Sequence, residues 1–292
     1  MTSSKLLQQI NADTGVVLVL GSGGSRGIVH IGVLRALEEL EVPLRAIIGC
    51  SMGALVGAFY ASGISVGQLE SLVKAVSFWD VLKIFAPSPW SNGLLRGKGI
   101  DRFLQRHLGN LELQDFPIPF LSVATSLQSG AKTVFDRGAA WSSVRASLSL
   151  PGVFPPCKRE GEYFIDGAFN DPLPVSVARE RFSSPVIAVL AQVPPTLRHP
   201  IGRKIERPFS WLKVSQYAQD TALWEITQAR LAVSPPDLLL SPPIYGFGCF
   251  QYHNSSALIR IGYDYVMNRK DDLLRYQKRA NQRSVCYPKL CR

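Results

Sequence analysis

Between Arg45 and Ala61 an apolar run, Ala46-Ile47-Ile48, meets Gly49-Cys50-Ser51-Met52-Gly53 and passes straight into the helix-forming Ala54-Leu55-Val56-Gly57-Ala58-Phe59-Tyr60. A buried strand must therefore turn sharply into a helix with one serine at the apex. That turn pushes the hydroxyl out above the strand's carboxyl end, where a helix N-terminus favours developing negative charge. Glycine on either side lets the strand and helix backbones approach closely. This is the arrangement expected of a nucleophile elbow.

The five-residue pattern alone does not single out Ser51, because G-x-S-x-G occurs three times, at Gly23–Gly27, Gly49–Gly53 and Gly63–Gly67. Context separates them. Only Ser51 stands between an apolar strand and a helix. Ser65 follows one helix and precedes the helical spacing of Val66, Leu69, Leu72 and Val73, which makes it a helix N-cap. Ser25 lies inside the glycine-rich loop Gly21-Ser22-Gly23-Gly24-Ser25-Arg26-Gly27.

The chain has 292 residues, 46% hydrophobic and 18% charged, enough for one large domain with a substantial core. No apolar run approaches the length that spans a bilayer, and the polar start Met1–Gly15 has no signal-peptide core, so an intracellular, cytoplasmic protein is expected. Cys50, Cys157, Cys249, Cys286 and Cys291 are scattered without paired metal-ligand spacing, which indicates neither a disulfide framework nor a zinc site. The net charge is +10, and residues 269–292 hold eight Lys or Arg against two Asp. Such a tail suits an anionic surface such as lipid headgroups, or simply water. A nucleic-acid partner would rest on that tail alone and is not expected.

Val16–Leu20 reads as a strand buried on both faces, followed by the glycine-rich loop and a helix with Ile28, Ile31, Leu34 and Leu37 inward. With the Ala46 strand and the Ser51 helix this makes a β-α-β-α opening whose two loops emerge at one end of a parallel sheet. Further helices are expected at Val66–Val76, Ile100–His107, Trp141–Leu148 and Pro172–Arg181, and strands at Phe120–Thr125, Lys132–Phe135, Glu162–Ile165 and Val186–Leu190. Phe78–Leu95 is aromatic and broken by prolines, suited to a lid, a membrane-contacting loop or packing on the body. After Pro194-Pro195 the pattern turns to long helices, Phe209–Leu231 and Ala257–Met267. The fold class is α/β: a mainly parallel central sheet flanked by helices in three layers, with residues 1–14 a tail, 15–194 a catalytic domain and 195–292 a helical, basic C-terminal extension.

A serine needs a base to become a nucleophile. His30 sits among apolar helix positions and His107 ends a helix beside Arg106, both structural settings; His199 and His253 satisfy the chain order of a Ser-Asp-His triad but follow no apolar strand. Asp166 directly follows Tyr163-Phe164-Ile165 and precedes Gly167, and Asp136 has a similar place after Val134-Phe135. An aspartate acting without histidine needs its pKa raised by burial, for which Phe154, Tyr163 and Phe164 are available. The glycine-rich loop offers unhindered backbone N–H groups for an oxyanion or a phosphate. A dinucleotide site would need G-x-G-x-x-G, where the frame from Gly21 ends in Arg26, and an acid after the second strand, where Gly49-Cys50-Ser51 stands.

Gly23-Gly24-Ser25-Arg26-Gly27 with the helix after it, the Gly49–Gly53 elbow, Pro151–Pro156 and Asp166-Gly167-Ala168 together resemble the patatin-like phospholipases, particularly their bacterial single-domain members, over residues 15 to 190. The resemblance implies a Ser-Asp dyad without histidine: Ser51 attacks a lipid acyl ester, Asp166 accepts the proton, and Gly23, Gly24, Ser25 and Arg26 stabilise the oxyanion. It implies a phospholipid or lysophospholipid substrate and neither metal nor cofactor; peripheral membrane contact is expected through the aromatic segment Phe78–Leu95 or the basic tail. The alternatives are a Rossmann-type dinucleotide-binding protein and a catalytically silent membrane-binding protein. Two residues depart from the family pattern. Ser22 replaces a glycine and is expected to leave the loop working. Asp171 replaces an asparagine, and a second acid five residues from Asp166 is expected to raise the dyad's pKa by like-charge repulsion.

Overall fold

The computed structural model describes residues 15–75, 97–198, 210–249 and 251–276. The N-terminal tail, the aromatic segment Phe78–Leu95, His199, Cys286, Cys291 and most of the basic tail lie outside them.

β-branched residues crowd a helix but suit a sheet covered on both faces, and Val16-Val17-Leu18-Val19-Leu20 is strand β1 (Val16–Leu20), buried throughout. It runs parallel to β2 (Leu44–Cys50) on one side and β7 (Val186–Val189) on the other. β3 (Phe120–Ser126) continues the parallel set beyond β2, and β8 (Leu238–Leu240) continues it beyond β7. Three antiparallel strands join at the β3 side: β4 (Lys132–Phe135), β5 (Cys157–Arg159) and β6 (Glu162–Asp166). The order is β5-β6-β3-β2-β1-β7-β8, with β4 also on β3. The short strands β5 and β8 go beyond the sequence expectation, because three residues are too few to show a period.

Alternation along the strands splits the core into two faces. Leu18, Leu20 and Ile47 pack with Leu34 of α1 (Val29–Glu39), Phe59 of α2 (Met52–Ala61), Leu104 of α4 (Lys98–Leu108) and Leu258 of α8 (Ser255–Met267). Val17, Val19 and Ile48 pack with Val177 of α6 (Val175–Arg181) and Trp224 of α7 (Ser210–Val233). Two further helices, α3 (Val66–Ala75) and α5 (Ala140–Ser147), also pack on the first face. Each fully buried Leu or Ile contributes about 1.5–3 kcal/mol, so these faces dominate the stabilisation. The result is three layers, helices on both sides of a mixed sheet.

The described residues beyond 194 are largely helical, as expected, yet they belong to the same core. β8 hydrogen-bonds to β7, and Leu240, Leu258 and Val266 share one hydrophobic cluster with β1 and α1. Helices α1 and α8 cross at two glycines: a Cβ on Gly32 would lie 1.9 Å from the Ile259 carbonyl oxygen, and one on Gly262 would lie 2.3 Å from that of Val29. No side chain fits between them.

The register of β3 fixes where β2 and β6 end. β4 pairs along one edge from Ser122 to Thr125. The other edge is shared: β2 pairs as far as Cys50 opposite Val123, and β6 arrives from the opposite direction to end with Asp166 opposite Ala124. Two strands more than a hundred residues apart thus meet end to end.

Candidate functional site

Ser51 follows β2 at once and adopts φ 55°, ψ −123°, a conformation that a residue with a side chain rarely takes. The strain, of order 1–3 kcal/mol, persists because the surroundings impose it. The Ser51 N–H donates to Ser147 Oγ at 2.9 Å, and Ser147 Oγ donates in turn to the Val123 carbonyl at 2.6 Å. Gly53 admits the turn because a Cβ there would sit 2.1 Å from the Leu20 carbonyl oxygen.

Across the junction, Ser51 Oγ donates to Asp166 Oδ2 at 2.6 Å. Asp166 Oδ1 accepts from the Ala168 N–H at 2.9 Å, its own N–H donates to the Ser149 carbonyl, and Thr125 Oγ1 donates to its carbonyl. Two hydrogen bonds hold the carboxylate and two more hold the backbone of Asp166, which is only 1% exposed. Burial pushes its pKa from 3.8 up to about 6, against the opposing hydrogen bonds from Ser51 and Ala168. The expected repulsion from Asp171 is not the cause: Asp171 is buried against Lys132 Nζ at 3.1 Å and Ser176 Oγ at 2.9 Å, which satisfies one of its oxygens.

The glycine-rich loop divides its four expected donors. Gly23 takes φ 178°, ψ 1°, and Gly24 takes φ 58°, where a Cβ would lie 2.6 Å from the Cys249 carbonyl oxygen. Both line the cavity at Ser51. Ser25 does not, and this corrects the expectation for it. Its N–H donates to the Cys249 carbonyl at 2.8 Å, its Oγ donates to the Gly248 carbonyl and accepts from the Gln251 N–H, and it is wholly buried. The Cys249 carbonyl, distant in the chain, takes up the N–H donor that the local pattern leaves open. Arg26 reaches the cavity wall with its guanidinium, Nε donating to the Gly23 carbonyl and Nη2 pairing with Asp220 at 3.3 Å. Ser22 is packed in place, its N–H on the Pro172 carbonyl and its Oγ accepting from Gln192.

No histidine lines the cavity among the described residues. His30 is buried with Nε2 donating to the Gly21 carbonyl at 2.8 Å, and burial lowers its pKa to about 4, so it is a neutral brace for the loop. His107 stacks among Phe59 and Phe103, and His253 is exposed. Asp136 pairs with Arg137 and Arg181 at the surface. Nor is any group of three His, Cys, Asp or Glu gathered among the described residues that could hold a metal ion.

The cavity, about 410 Å³, is mostly apolar, with Leu150, Pro151, Val153 and Leu223 around Ser51 and Asp166. Phe154 and Phe164, expected there, are buried elsewhere in the core, and Tyr163 is 43% exposed. Another part of the cavity wall comes from α7, with Gln216, Gln219 and Asp220, and from Arg198. Sequence reasoning passed over this wall. The signal available was the spacing of Gln216, Gln219, Asp220, Leu223 and Thr227, which marks one helical face carrying polar side chains where an apolar stripe is usual.

A family model described as patatin-like phospholipase matches residues 18–179. Among curated relatives, Lysophospholipase NTE1 of Pyricularia oryzae is 30% identical over 273 residues, covering 86% of this chain and 18% of that protein. An uncharacterized NTE family protein of Mycobacterium tuberculosis is 37% identical over 161 residues, 55% of this chain and 44% of its own. The chain spans less than half the length of these relatives. VipD from Legionella pneumophila shares the fold, with a TM-score of 0.56 at 14% identity over 90% of this chain and 67% of that one.

Proposed function

Given that the chain belongs to the patatin-like phospholipase family, we propose that it is a serine hydrolase of phospholipid or lysophospholipid acyl esters, working through Ser51 and Asp166 without a histidine. The observation that carries this reading is the 2.6 Å hydrogen bond from Ser51 Oγ to a buried carboxylate in an apolar cavity.

Ionised Asp166 takes the Ser51 proton as Oγ attacks the ester carbonyl carbon. The carbonyl oxygen becomes an oxyanion within reach of the Gly23 and Gly24 N–H groups. Collapse breaks the bond to the glycerol oxygen, which leaves with the proton from Asp166. Water then attacks the acyl-serine, its proton passing to Asp166 and then to Ser51 Oγ as the fatty acid departs. A pKa of about 6 suits both halves: the carboxylate is ionised at neutral pH yet more basic than an exposed aspartate. The acyl chain lies along Leu150, Val153 and Leu223.

The lipid is drawn from a membrane surface by peripheral contact, which the net charge of +10 favours where lipids are anionic. Among the described residues no helix is long and apolar enough to cross a membrane. A fluorophosphonate probe tests the reading. Labelling of the native protein that disappears in Ser51→Ala is the expected result, and a protein that is never labelled and hydrolyses no lysophospholipid refutes it.

A further inference from the structure

The proposed acyl transfer leaves one charged end of the cavity without a task. Arg198 stands in that wall, in the segment that follows β7. Its guanidinium is held by neutral acceptors: Nε donates to the Val193 carbonyl at 3.1 Å, Nη1 to Thr221 Oγ1 at 3.0 Å and Nη2 to the Asp220 carbonyl at 2.9 Å. These bonds fix the plane of the group and occupy three of its five N–H donors. The nearby acid is already engaged, since the Asp220 carboxylate pairs with Arg26 at 3.3 Å and accepts from the Cys249 thiol. Among the described residues, no carboxylate lies within ion-pairing distance of Arg198. Among the described residues the wall therefore carries two guanidiniums against one carboxylate, that of Asp220, which pairs directly with Arg26 and leaves Arg198 rigidly held with no carboxylate in contact.

A fixed cation in a largely apolar cavity calls for an anion. Hydrogen bonds link the oxyanion loop, Arg26, Asp220 and Arg198 in sequence, which places a fixed cation in the same cavity as Ser51. The loops after β1 and β7 also flank the point where strand order reverses, which is where open α/β sheets hold their ligands. We infer that Arg198 receives the headgroup phosphate of the substrate and makes the enzyme prefer phosphate-bearing acyl esters to neutral acylglycerols. The planar fork matches two phosphate oxygens. This inference rests on the acyl-hydrolase reading above.

The test compares 1-oleoyl-lysophosphatidylglycerol with 1-oleoylglycerol in the same detergent micelles, taking the ratio of their kcat/KM values. Native protein favours the phosphate ester, and Arg198→Gln lowers the ratio at least about tenfold, chiefly through KM for the lysophospholipid, with Arg198→Lys recovering part of it. Because Arg198 also ties its loop to α7, Thr221→Val serves as the structural control: it deletes one tie and keeps the charge, and the ratio stays native. Equal hydrolysis of both esters by native protein, or an Arg198→Gln ratio that is unchanged or matched by Thr221→Val, overturns the inference. Hydrolysis of neither ester by native protein overturns the acyl-hydrolase reading as well.

Discussion

Gly23–Gly27 and Gly49–Gly53 carry one five-residue pattern and meet opposite fates. In the second, the serine is lifted to φ 55° at the end of a strand and gives its proton side to a carboxylate. In the first, the serine is wholly buried and spends its hydroxyl on Gly248 and Gln251, bracing the loop against a segment more than two hundred residues away. The third copy is different again: Ser65 Oγ accepts from the Gln68 N–H while the Gln68 side chain accepts from the Ser65 N–H, a capping box at the start of α3. A small residue on each side of a serine licenses a tight turn; what precedes and covers the turn decides its chemistry.

Substitutions in the three copies, and at the carboxylate that partners the second, should separate these roles. Asp166→Asn has the largest effect on rate, a loss of roughly 10³–10⁴-fold in turnover of a lysophospholipid, since the base is gone. Its effect on stability has the opposite sign. A carboxyl whose pKa is about 6 in the fold and 3.8 when exposed stabilises the fold while protonated, below about pH 4, and that contribution is lost as pH rises through about 6. Asp166→Asn should therefore gain up to roughly 3 kcal/mol at pH 7, and nothing below pH 4, in urea titrations at the two pH values. In the native enzyme kcat should fall as pH drops through about 6, where the base becomes protonated.

Gly53→Ala forces a Cβ to within 2.1 Å of the Leu20 carbonyl, a backbone atom with nowhere to go, and should destabilise the protein by more than about 3 kcal/mol and abolish probe labelling. Ser25→Ala leaves Gly248 and Gln251 without their shared partner. It should cost about 1–3 kcal/mol in chemical denaturation while labelling of Ser51 persists. Loss of labelling at unchanged stability would make Ser25 part of the chemistry and erase the contrast. Gly67→Ala marks the other extreme. A Cβ there meets nothing within 4 Å, and the exchange inside α3 should stabilise by roughly 0.5–1 kcal/mol in thermal unfolding.

Helix and strand positions were readable where the pattern was long and periodic. Val16–Leu20 and Lys132–Phe135 match their expected bounds, and most other elements differ by one to three residues. β5 and β8 were not, since three residues carry no period and their pairing comes from neighbours in space. The same limit explains the cavity. Leu150, Val153 and Leu223 form its apolar lining in place of the expected aromatics, because facing a cavity is a property of packing, and any apolar residue serves. The polar face of α7 was visible as a pattern with no assigned use.

The sequence by itself determined the elbow, the glycine-rich loop beside it and the acid at the end of a short strand, because these depend on local sterics: a strand, a turn that only glycine permits, a helix start. Tertiary structure alone decided that Asp166 reaches Ser51, since β2 and β6 are brought end to end by sharing one edge of β3. It also decided that Ser25 is a brace and that Asp220 and Arg198 face the cavity, since each depends on a segment distant in the chain arriving at one place. Local geometry can be written in a few adjacent residues; a partner across the fold exists only once the core has closed.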